Sequence, residues 1–173
     1  MHSKQTIASS HFSPDIAEFI ELLYRFSVRY LLVGGEAVIF YGHARLTGDV
    51  DFFFENTERN AHALYNALVE FWKGSIPEIE SASALREPGL ILQFGVPPNR
   101  IDLMNRISGI NFVDAWANRV EIEMISDNQK SLPIYIIGRE QLIQNKKASG
   151  RAKDLDDIPY LSVSDNNGSM RVQ

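Results

Sequence analysis

Two aspartates separated by one residue, Asp49 and Asp51, are the first side chains in the sequence whose spacing suggests chemistry. They open a run of β-forming and aromatic residues, and residues two apart on a strand point to the same face, with Cα atoms about 6.6 Å apart. Both carboxylates can therefore converge on one divalent cation. Hard oxygen ligands suit Mg²⁺, which usually completes its shell with waters and substrate phosphates.

A third aspartate, Asp102, stands in a similar apolar run, between Ile101 and Leu103. Acids at the end of so apolar a strand are costly to bury unless a partner neutralises them, and a divalent metal would do so. If the two strands are neighbours in a sheet, Asp102 adds a third carboxylate. We therefore expect a metal site built from Asp49, Asp51 and Asp102.

Gly34 and Gly35 precede these acids, at the end of the apolar run Tyr30 to Val33. Glycines let backbone N–H groups approach a phosphate closely, and a helix beginning at Glu36 would add its positive N-terminal end. Phosphate anchoring beside metal-binding carboxylates is what in-line displacement at phosphorus requires. Glu36 opposes this interpretation unless its side chain points away.

The elements that must position these residues can be read from periodicity. Ser13-Pro14 is a helix start with a capping side chain, and Asn56 or Thr57 can cap a long second helix. Pro133 is expected to keep its strand near the edge of the sheet. Trp72, Trp116 and Phe52 to Phe54 are expected in the core. Strands are expected at 30–33, 50–54, 90–94, 100–104, 120–124 and 132–137, and further helices at 36–41, 112–116, 139–147 and 150–160.

This interleaving predicts an α/β class, with one mixed β-sheet flanked by helices in a single domain over 13–161. The segments 1–12 and 162–173 are expected to be N-terminal and C-terminal tails. The size of 173 residues and the 45% apolar content fit one ordinary core. Residues Met1 to Ser10 lack the apolar core of a signal peptide, and no apolar run approaches roughly 20 residues, so we expect a cytoplasmic protein without membrane association.

Charge and cysteine content exclude several function classes. A formal net charge of -5 argues against general nucleic-acid binding through a basic surface. The absence of cysteine excludes disulfides, thiolate zinc sites and a cysteine nucleophile. The four histidines show no metal-ligand spacing, and His43 is expected to be a loop residue.

The order Gly34-Gly35, then Asp49-x-Asp51, then Asp102 resembles the nucleotidyltransferase superfamily that includes DNA polymerase β and kanamycin nucleotidyltransferase. The run LLVGGEAVIFYGHARLTGDVDFF is more similar to small bacterial proteins related to abortive-infection toxin nucleotidyltransferases. In these, an Arg-x-Thr-x-Asp-x-Asp stretch follows the glycines, here Arg45, Thr47, Asp49 and Asp51. The segments PPNRIDLM and LIQNKKASGRAKDLDDIPYL extend the resemblance over roughly Tyr30 to Leu161.

The resemblance implies transfer of a nucleoside monophosphate from a nucleoside triphosphate (NTP) to an acceptor hydroxyl on RNA such as tRNA, on a protein or on a small molecule. Asp49 and Asp51 would hold Mg²⁺ or Mn²⁺, and Asp102 would help to activate the attacking oxygen. Gly34, Gly35, Arg45 and Thr47 would contact the nucleotide, whereas Lys146, Arg151 and Lys153 would pair with phosphate or with Asp154 and Asp157. The resemblance also implies a toxin–antitoxin component, with an antitoxin or a homodimer partner. Many relatives carry serine where this chain has Gly35.

Simpler interpretations stay open at each position. Asp-x-Asp recurs at Asp154 to Asp156 in a charged helical stretch, and a Gly-Gly pair is commonly only a tight turn. Arg45 could pair with Asp49 while Thr47 caps the loop, and Asp102 could pair with Arg100 or Arg106. The basic residues between 139 and 153 could be a solvated helical face or a salt-bridge network.

Two alternatives concern the whole chain. One is a non-catalytic domain that binds a nucleotide or a protein on the same fold. The other is a structural protein whose acids are neutralised by Arg45.

Overall fold

The computed structural model describes residues 4–163, which form seven β-strands and six α-helices. The strands are β1 (Thr6–Ala8), β2 (Tyr30–Val33), β3 (Asp49–Phe54), β4 (Ile91–Phe94), β5 (Arg100–Met104), β6 (Val120–Ile125) and β7 (Ser131–Ile136). The helices are α1 (Pro14–Arg25), α2 (Gly34–Phe40), α3 (Glu58–Trp72), α4 (Phe112–Ala117), α5 (Arg139–Ser149) and α6 (Ala152–Ser162).

The strands form one mixed sheet in the order β1-β6-β7-β2-β3-β5-β4. The pairs β1–β6, β7–β2 and β3–β5 are parallel, and the remaining neighbours are antiparallel. The α/β class and the mixed sheet expected from the sequence are confirmed. The strands that carry Asp51 and Asp102 are neighbours, which was the condition for a third carboxylate.

Alternate residues of β3 face two different helical layers. Phe52 packs edge-on against Phe19 of α1, with ring centroids 5.3 Å apart, and Phe19 also contacts Phe71 of α3. Phe53 packs instead against Phe112 of α4, at 5.2 Å. Residues two apart on a strand share a face, so Asp49 and Asp51 point away from the α1–α3 layer.

The helix starts follow the capping residues that the sequence offered. The Ser13 hydroxyl accepts a hydrogen bond from the Ile16 backbone N–H at 3.3 Å. Thr57, rather than Asn56, caps α3 and accepts from the Asn60 N–H at 3.2 Å. The buried Asn60 side chain then accepts from the Arg29 N–H at 2.7 Å and donates to the Glu55 carbonyl at 2.9 Å. It thereby joins the residue before β2 to the residue after β3.

The expectation that Pro133 keeps its strand at an edge is wrong, because β7 lies between β6 and β2. The register between β7 and β2 pairs only Ile136 with Leu32. Pro133 lies outside this paired part of β7, so the usual restriction of proline to edge strands does not apply there. A sequence pattern shows that a proline is present, but not how far a neighbouring strand extends.

Further observations concern the ends of elements and the exposure of Trp72. Thr6–Ala8, within the expected N-terminal tail, form edge strand β1, and Lys4 donates to Glu121 and Glu123 of β6 at 3.1 and 2.9 Å. The expected C-terminal tail lies outside the described residues except for 162 and 163.

Trp72 is 36% exposed, because it ends α3 at the rim of the core, whereas Phe52–Phe54 are buried. Helix α2 begins at Gly34, two residues earlier than expected.

None of the helices described between residues 4 and 163 has both the length and the apolar character needed to cross a bilayer.

Candidate active site

The three aspartates singled out by the sequence lie together on one face of the sheet. Asp51 of β3 is the register partner of Asp102 of β5, and Asp49 is the partner of Arg100. One oxygen from each of the three carboxylates lies within 4.8 Å of the others. Asp102 is buried and the other two are half-buried. Such a set of carboxylate oxygens fits a hard divalent cation such as Mg²⁺ or Mn²⁺.

Asp51 is the most perturbed acid of this group. Burial, followed by repulsion from Asp49 and Asp102, raises its pKa from 3.8 to about 7, although Arg100 and Arg151 act in the opposite direction. A carboxyl group in this position holds a proton near neutral pH unless additional positive charge arrives. A divalent cation bound among the three acids would supply that charge.

Arg100 holds two of the three acids. Its Nε donates to Asp102 Oδ1 at 2.8 Å, and its Nη2 donates to Asp102 Oδ2 at 3.1 Å and to Asp49 Oδ2 at 2.8 Å. The pairing of Asp102 with Arg100, one of the alternatives left by the sequence, is therefore present. The alternative pairing of Arg45 with Asp49 is wrong. Arg45 Nη2 donates instead to Asp157 Oδ2 at 3.2 Å, because α6 brings a buried carboxylate to this loop.

The two glycines stand where side chains would collide with the site. Val33 is the register partner of Asp51, so the chain passes directly beside that carboxylate as it enters α2. A Cβ atom on Gly34, whose φ is +61°, would lie 2.0 Å from Asp51 Oδ2, and one on Gly35 would lie 2.6 Å from Thr47 Oγ1. The space that the Asp51 and Thr47 side chains require is sufficient to explain why both positions are glycine. Their contact with a triphosphate stays a prediction.

The loop before β3 is ordered by its own side chains and by α6. Thr47 Oγ1 donates to the Asp49 carbonyl at 3.0 Å, as the simpler interpretation of that residue expected. His43 lies in this loop, as expected, and its ring stacks on Tyr160 with centroids 3.7 Å apart. Glu36 Oε2 lies 2.8 Å from His11 Nε2. Its negative charge therefore points away from the three acids.

The C-terminal helices are joined to each other by a buried ion-pair cluster. The Lys146 side chain is 3% exposed, and its Nζ donates to Asp154 Oδ1 at 3.0 Å and lies 2.9 Å from Asp157 Oδ2. Arg151 Nε donates to Asp154 Oδ2 at 2.7 Å, and the Ser149 hydroxyl donates to the same oxygen. Burial would raise the pKa of Asp154, but these hydrogen bonds bring it down to about 2.

This cluster decides between the interpretations of the basic residues. Lys146 and Arg151 pair with the neighbouring acid Asp154, which was one of the two arrangements implied for them. Lys146 does not lie on a solvated helical face, because α5 and α6 pack against each other around it. Lys153 is exposed.

A cleft of about 830 Å³ contains the carboxylates and reaches to α5 and α6. Within the described residues, its basic lining side chains outnumber the acidic ones by six to four. The whole chain is acidic, so the cleft is a region where positive charge is concentrated. The basic residues are Arg45, Arg100, Arg106, Lys146, Arg151 and Lys153, and the acidic ones are Asp49, Asp51, Asp102 and Asp154.

Sequence reasoning missed other residues of this cleft. Gln93 of β4 is the register partner of Asp102 and donates to its Oδ2 at 3.1 Å. The hairpin expected from 90–94 and 100–104 could have revealed it, since its alternation places both residues on one face. Asn145 donates to the Ser108 carbonyl at 2.9 Å, and both line the cleft. No short-range sequence pattern predicts the hydrogen bond between Asn145 and Ser108.

An Asp-x-Asp strand beside a helix that begins with Gly-Gly, with a third aspartate on the parallel neighbouring strand, is typical of a domain of the nucleotidyltransferase type. The family match agrees: the chain belongs to the family described as "Nucleotidyltransferase of unknown function (DUF6036)", whose model matches residues 14–167. A search of curated proteins found no match. The resemblance to the nucleotidyltransferase superfamily is confirmed, and membership supports nucleotidyl transfer as the general activity.

Replacing Gly34 by alanine should destabilise the protein by about 2–4 kcal/mol, because the new Cβ would meet Asp51 in a strained backbone. Gly150→Ala is the matched control, since Gly150 has a similar φ of +66° and its Cβ would meet nothing closer than 4.0 Å. There we expect only about 1–2 kcal/mol. Urea unfolding measures both variants. Equal losses would contradict the steric restriction by Asp51.

Lys146→Met should cost about 3–5 kcal/mol of unfolding free energy, because it removes the buried cation that Asp154 and Asp157 share. Lys147→Met, at the exposed neighbouring position, should change stability by less than about 0.5 kcal/mol. Equilibrium denaturation of the two variants measures both free energies of unfolding. A small loss for Lys146→Met would show that the cluster is not structural.

The raised pKa of Asp51 predicts a pH dependence of stability in the presence of a chelator. Between about pH 4 and 7 the folded state binds more protons than the unfolded state, so this residue lowers stability as pH rises through that range. Asp51→Asn should remove the effect and be more stable than wild type at pH 8 by on the order of 1–2 kcal/mol, reduced because Asp51 is only half-buried. Asp156→Asn, at an exposed acid, should keep the wild-type pH profile. Parallel profiles for wild type and Asp51→Asn would count against the raised pKa.

Proposed function

We propose that the protein is a metal-dependent nucleotidyltransferase that transfers a nucleoside monophosphate from an NTP to an acceptor hydroxyl. The observation that carries the proposal is the convergence of Asp49, Asp51 and Asp102 in a cleft where positive side chains are concentrated. Family membership supports the general reaction. The cleft volume is in the range of ordinary small-ligand sites, roughly 300–1,000 Å³.

Asp49 and Asp51 would hold Mg²⁺ or Mn²⁺, and Asp102 would complete the carboxylate set. The metal, when bound, supplies a Lewis acid that neutralises phosphate charge and polarises the reacting phosphoryl group. Asp102 would also orient the acceptor hydroxyl and accept its proton. Its side chain is fixed for this task by Gln93 on β4 and by its own strand, so it stays directed into the cleft.

The triphosphate would lie along the part of the cleft formed by Gly34, Gly35, Arg45 and Thr47, which all line it. Arg151 and Lys153 would contact the phosphates from the α6 side, where both are exposed. Lys146 differs from them, because its ammonium group is committed to two buried carboxylates. It would act as a positioning residue that holds α5 and α6 in place.

The acceptor would be an RNA such as tRNA, a protein or a small molecule, brought to the open side of the cleft. On the strength of the resemblance to abortive-infection proteins, we further propose a role in a toxin–antitoxin pair, with an antitoxin or a second copy of the chain as partner. These finer assignments rest on sequence similarity rather than on contacts.

One observation favours a second candidate, a non-catalytic domain that binds a nucleotide or a protein. Arg100 already compensates Asp49 and Asp102, so the acids do not need a metal ion for stability. The sequence had assigned this neutralising role to Arg45 in the structural alternative, but Arg45 contacts Asp157 instead. Gly35, which offers no hydroxyl, points in the same direction.

The test is turnover with Mg²⁺ or Mn²⁺, each of the four NTPs labelled at the α-phosphate, and candidate acceptors including tRNA, the protein itself and aminoglycosides. We expect pyrophosphate release and transfer of label, lost with chelator and reduced on the order of 100-fold or more by Asp51→Asn. Asp156→Asn changes the exposed member of the other Asp-x-Asp of the chain and should keep full activity.

Two other results would contradict the enzyme. Nucleotide binding without turnover in every mixture would favour the binding domain. Failure to bind either Mn²⁺ or any nucleotide would leave only a structural role for the acids.

A further inference from the structure

We infer that Arg100 and the divalent cation compete for the same carboxylate oxygens, so that metal binding must displace Arg100 and frees its guanidinium for the phosphates of the incoming nucleotide. The inference rests on the proposed function and adds a mode of regulation to the same site. It makes metal and nucleotide bind as a pair rather than independently.

The hydrogen bonds of Arg100 occupy the oxygens that a metal ion would need. Both oxygens of Asp102 accept from Arg100, at 2.8 and 3.1 Å, and Asp49 Oδ2 accepts at 2.8 Å. The other oxygen of Asp49 is 3.3 Å from Thr47 Oγ1. Within residues 4–163, no side chain donates a hydrogen bond to Asp51. A planar guanidinium bridging two carboxylates makes strong charge-assisted bonds, so its displacement has a real cost.

The position and exposure of Arg100 suit its side chain to exchange. It is the first residue of β5, and its side chain is 28% exposed on the cleft side of the sheet. Lys146, which also neutralises two carboxylates, is 3% exposed and enclosed between α5 and α6. Lys146 and Arg100 each contact two carboxylates, but Lys146 is enclosed in the fold and Arg100 lies at the solvent boundary. Of these two, Arg100 is the one suited to exchange.

Electrostatic repulsion determines where the Arg100 guanidinium goes when a metal ion replaces it. Once a divalent cation takes over Asp49 and Asp102, the guanidinium of Arg100 would be left close to that cation, and like charges repel. A polyphosphate in the cleft offers it anionic oxygens and removes this repulsion. Metal alone should therefore bind weakly, polyphosphate should strengthen it, and by thermodynamic linkage the metal should strengthen polyphosphate binding equally.

The experiment measures binding rather than catalysis, using Mn²⁺ and inorganic tripolyphosphate so that the choice of base does not matter. Arg100→Gln should bind Mn²⁺ alone on the order of tenfold more tightly than wild type, because the competitor is gone. The same variant at saturating Mn²⁺ should bind tripolyphosphate roughly fivefold more weakly. Calorimetry gives both constants, and the paramagnetic resonance signal of free Mn²⁺ checks the first.

Arg106→Gln is the matched control, since it removes an exposed positive charge from the same cleft and Arg106 has no hydrogen bond to the three acids within residues 4–163. Its affinity for Mn²⁺ alone should change by less than about twofold. Arg100→Lys keeps the charge but cannot bridge two carboxylates through a planar fork, so its Mn²⁺ affinity should lie between those of wild type and Arg100→Gln. It also serves if Arg100→Gln folds poorly, which circular dichroism reports.

The outcomes separate this inference from the proposed function. If wild type and Arg100→Gln bind Mn²⁺ equally well, or if Arg106→Gln gains as much affinity, competition by Arg100 is overturned while the metal site stands. If neither wild type nor any variant binds Mn²⁺, the metal site and the competition both fail. Tighter metal binding without weaker tripolyphosphate binding would overturn the release of the guanidinium to phosphate.

Discussion

Mutual repulsion among three carboxylates is the constraint around which this end of the sheet is organised. The parallel register of β3 and β5 places Asp51 beside Asp102, and the pleat adds Asp49 on the same face. Burial, together with this repulsion, raises the pKa of Asp51 to about 7. Arg100 compensates the other two acids, and Gly34 leaves the space that the Asp51 side chain requires.

Contacts with the C-terminal helices α5 and α6 stabilise this arrangement. Asp157 of α6 binds Arg45 of the loop before β3 and approaches Lys146 of α5, so one buried carboxylate connects three segments that are distant in sequence. Stacking of His43 on Tyr160 strengthens the same junction. The helices that close the cleft are therefore fixed to the strand that carries the acids, and loss of this cluster would loosen both together.

Structural features that depend only on residues close together in the sequence could be predicted from local patterns. The Ser13-Pro14 helix start, strand β3 and the shared face of Asp49 and Asp51 follow from capping and pleating, which need only a few residues. Burial of Lys146 and the bridge made by Arg100 depend on which elements pack together, as does the position of β7 inside the sheet. The sequence offered Arg100 and Arg106 as alternative partners of Asp102, and Arg100 is the one that pairs with it. The register between β3 and β5 brings Arg100 to Asp49 as well.

The balance of charge in the cleft limits the kind of ligand that it favours. A metal ion alone would meet the acids but also several arginine and lysine side chains, whereas an anion alone would meet three carboxylates with little room between them. A polyphosphate carrying a divalent cation would satisfy both sets, since the cation would be neutralised by the three aspartates and the phosphate oxygens by the basic residues. The same argument disfavours a long nucleic-acid surface, because the chain as a whole carries a net charge of -5. Any RNA acceptor would have to enter by its end rather than lie along the protein.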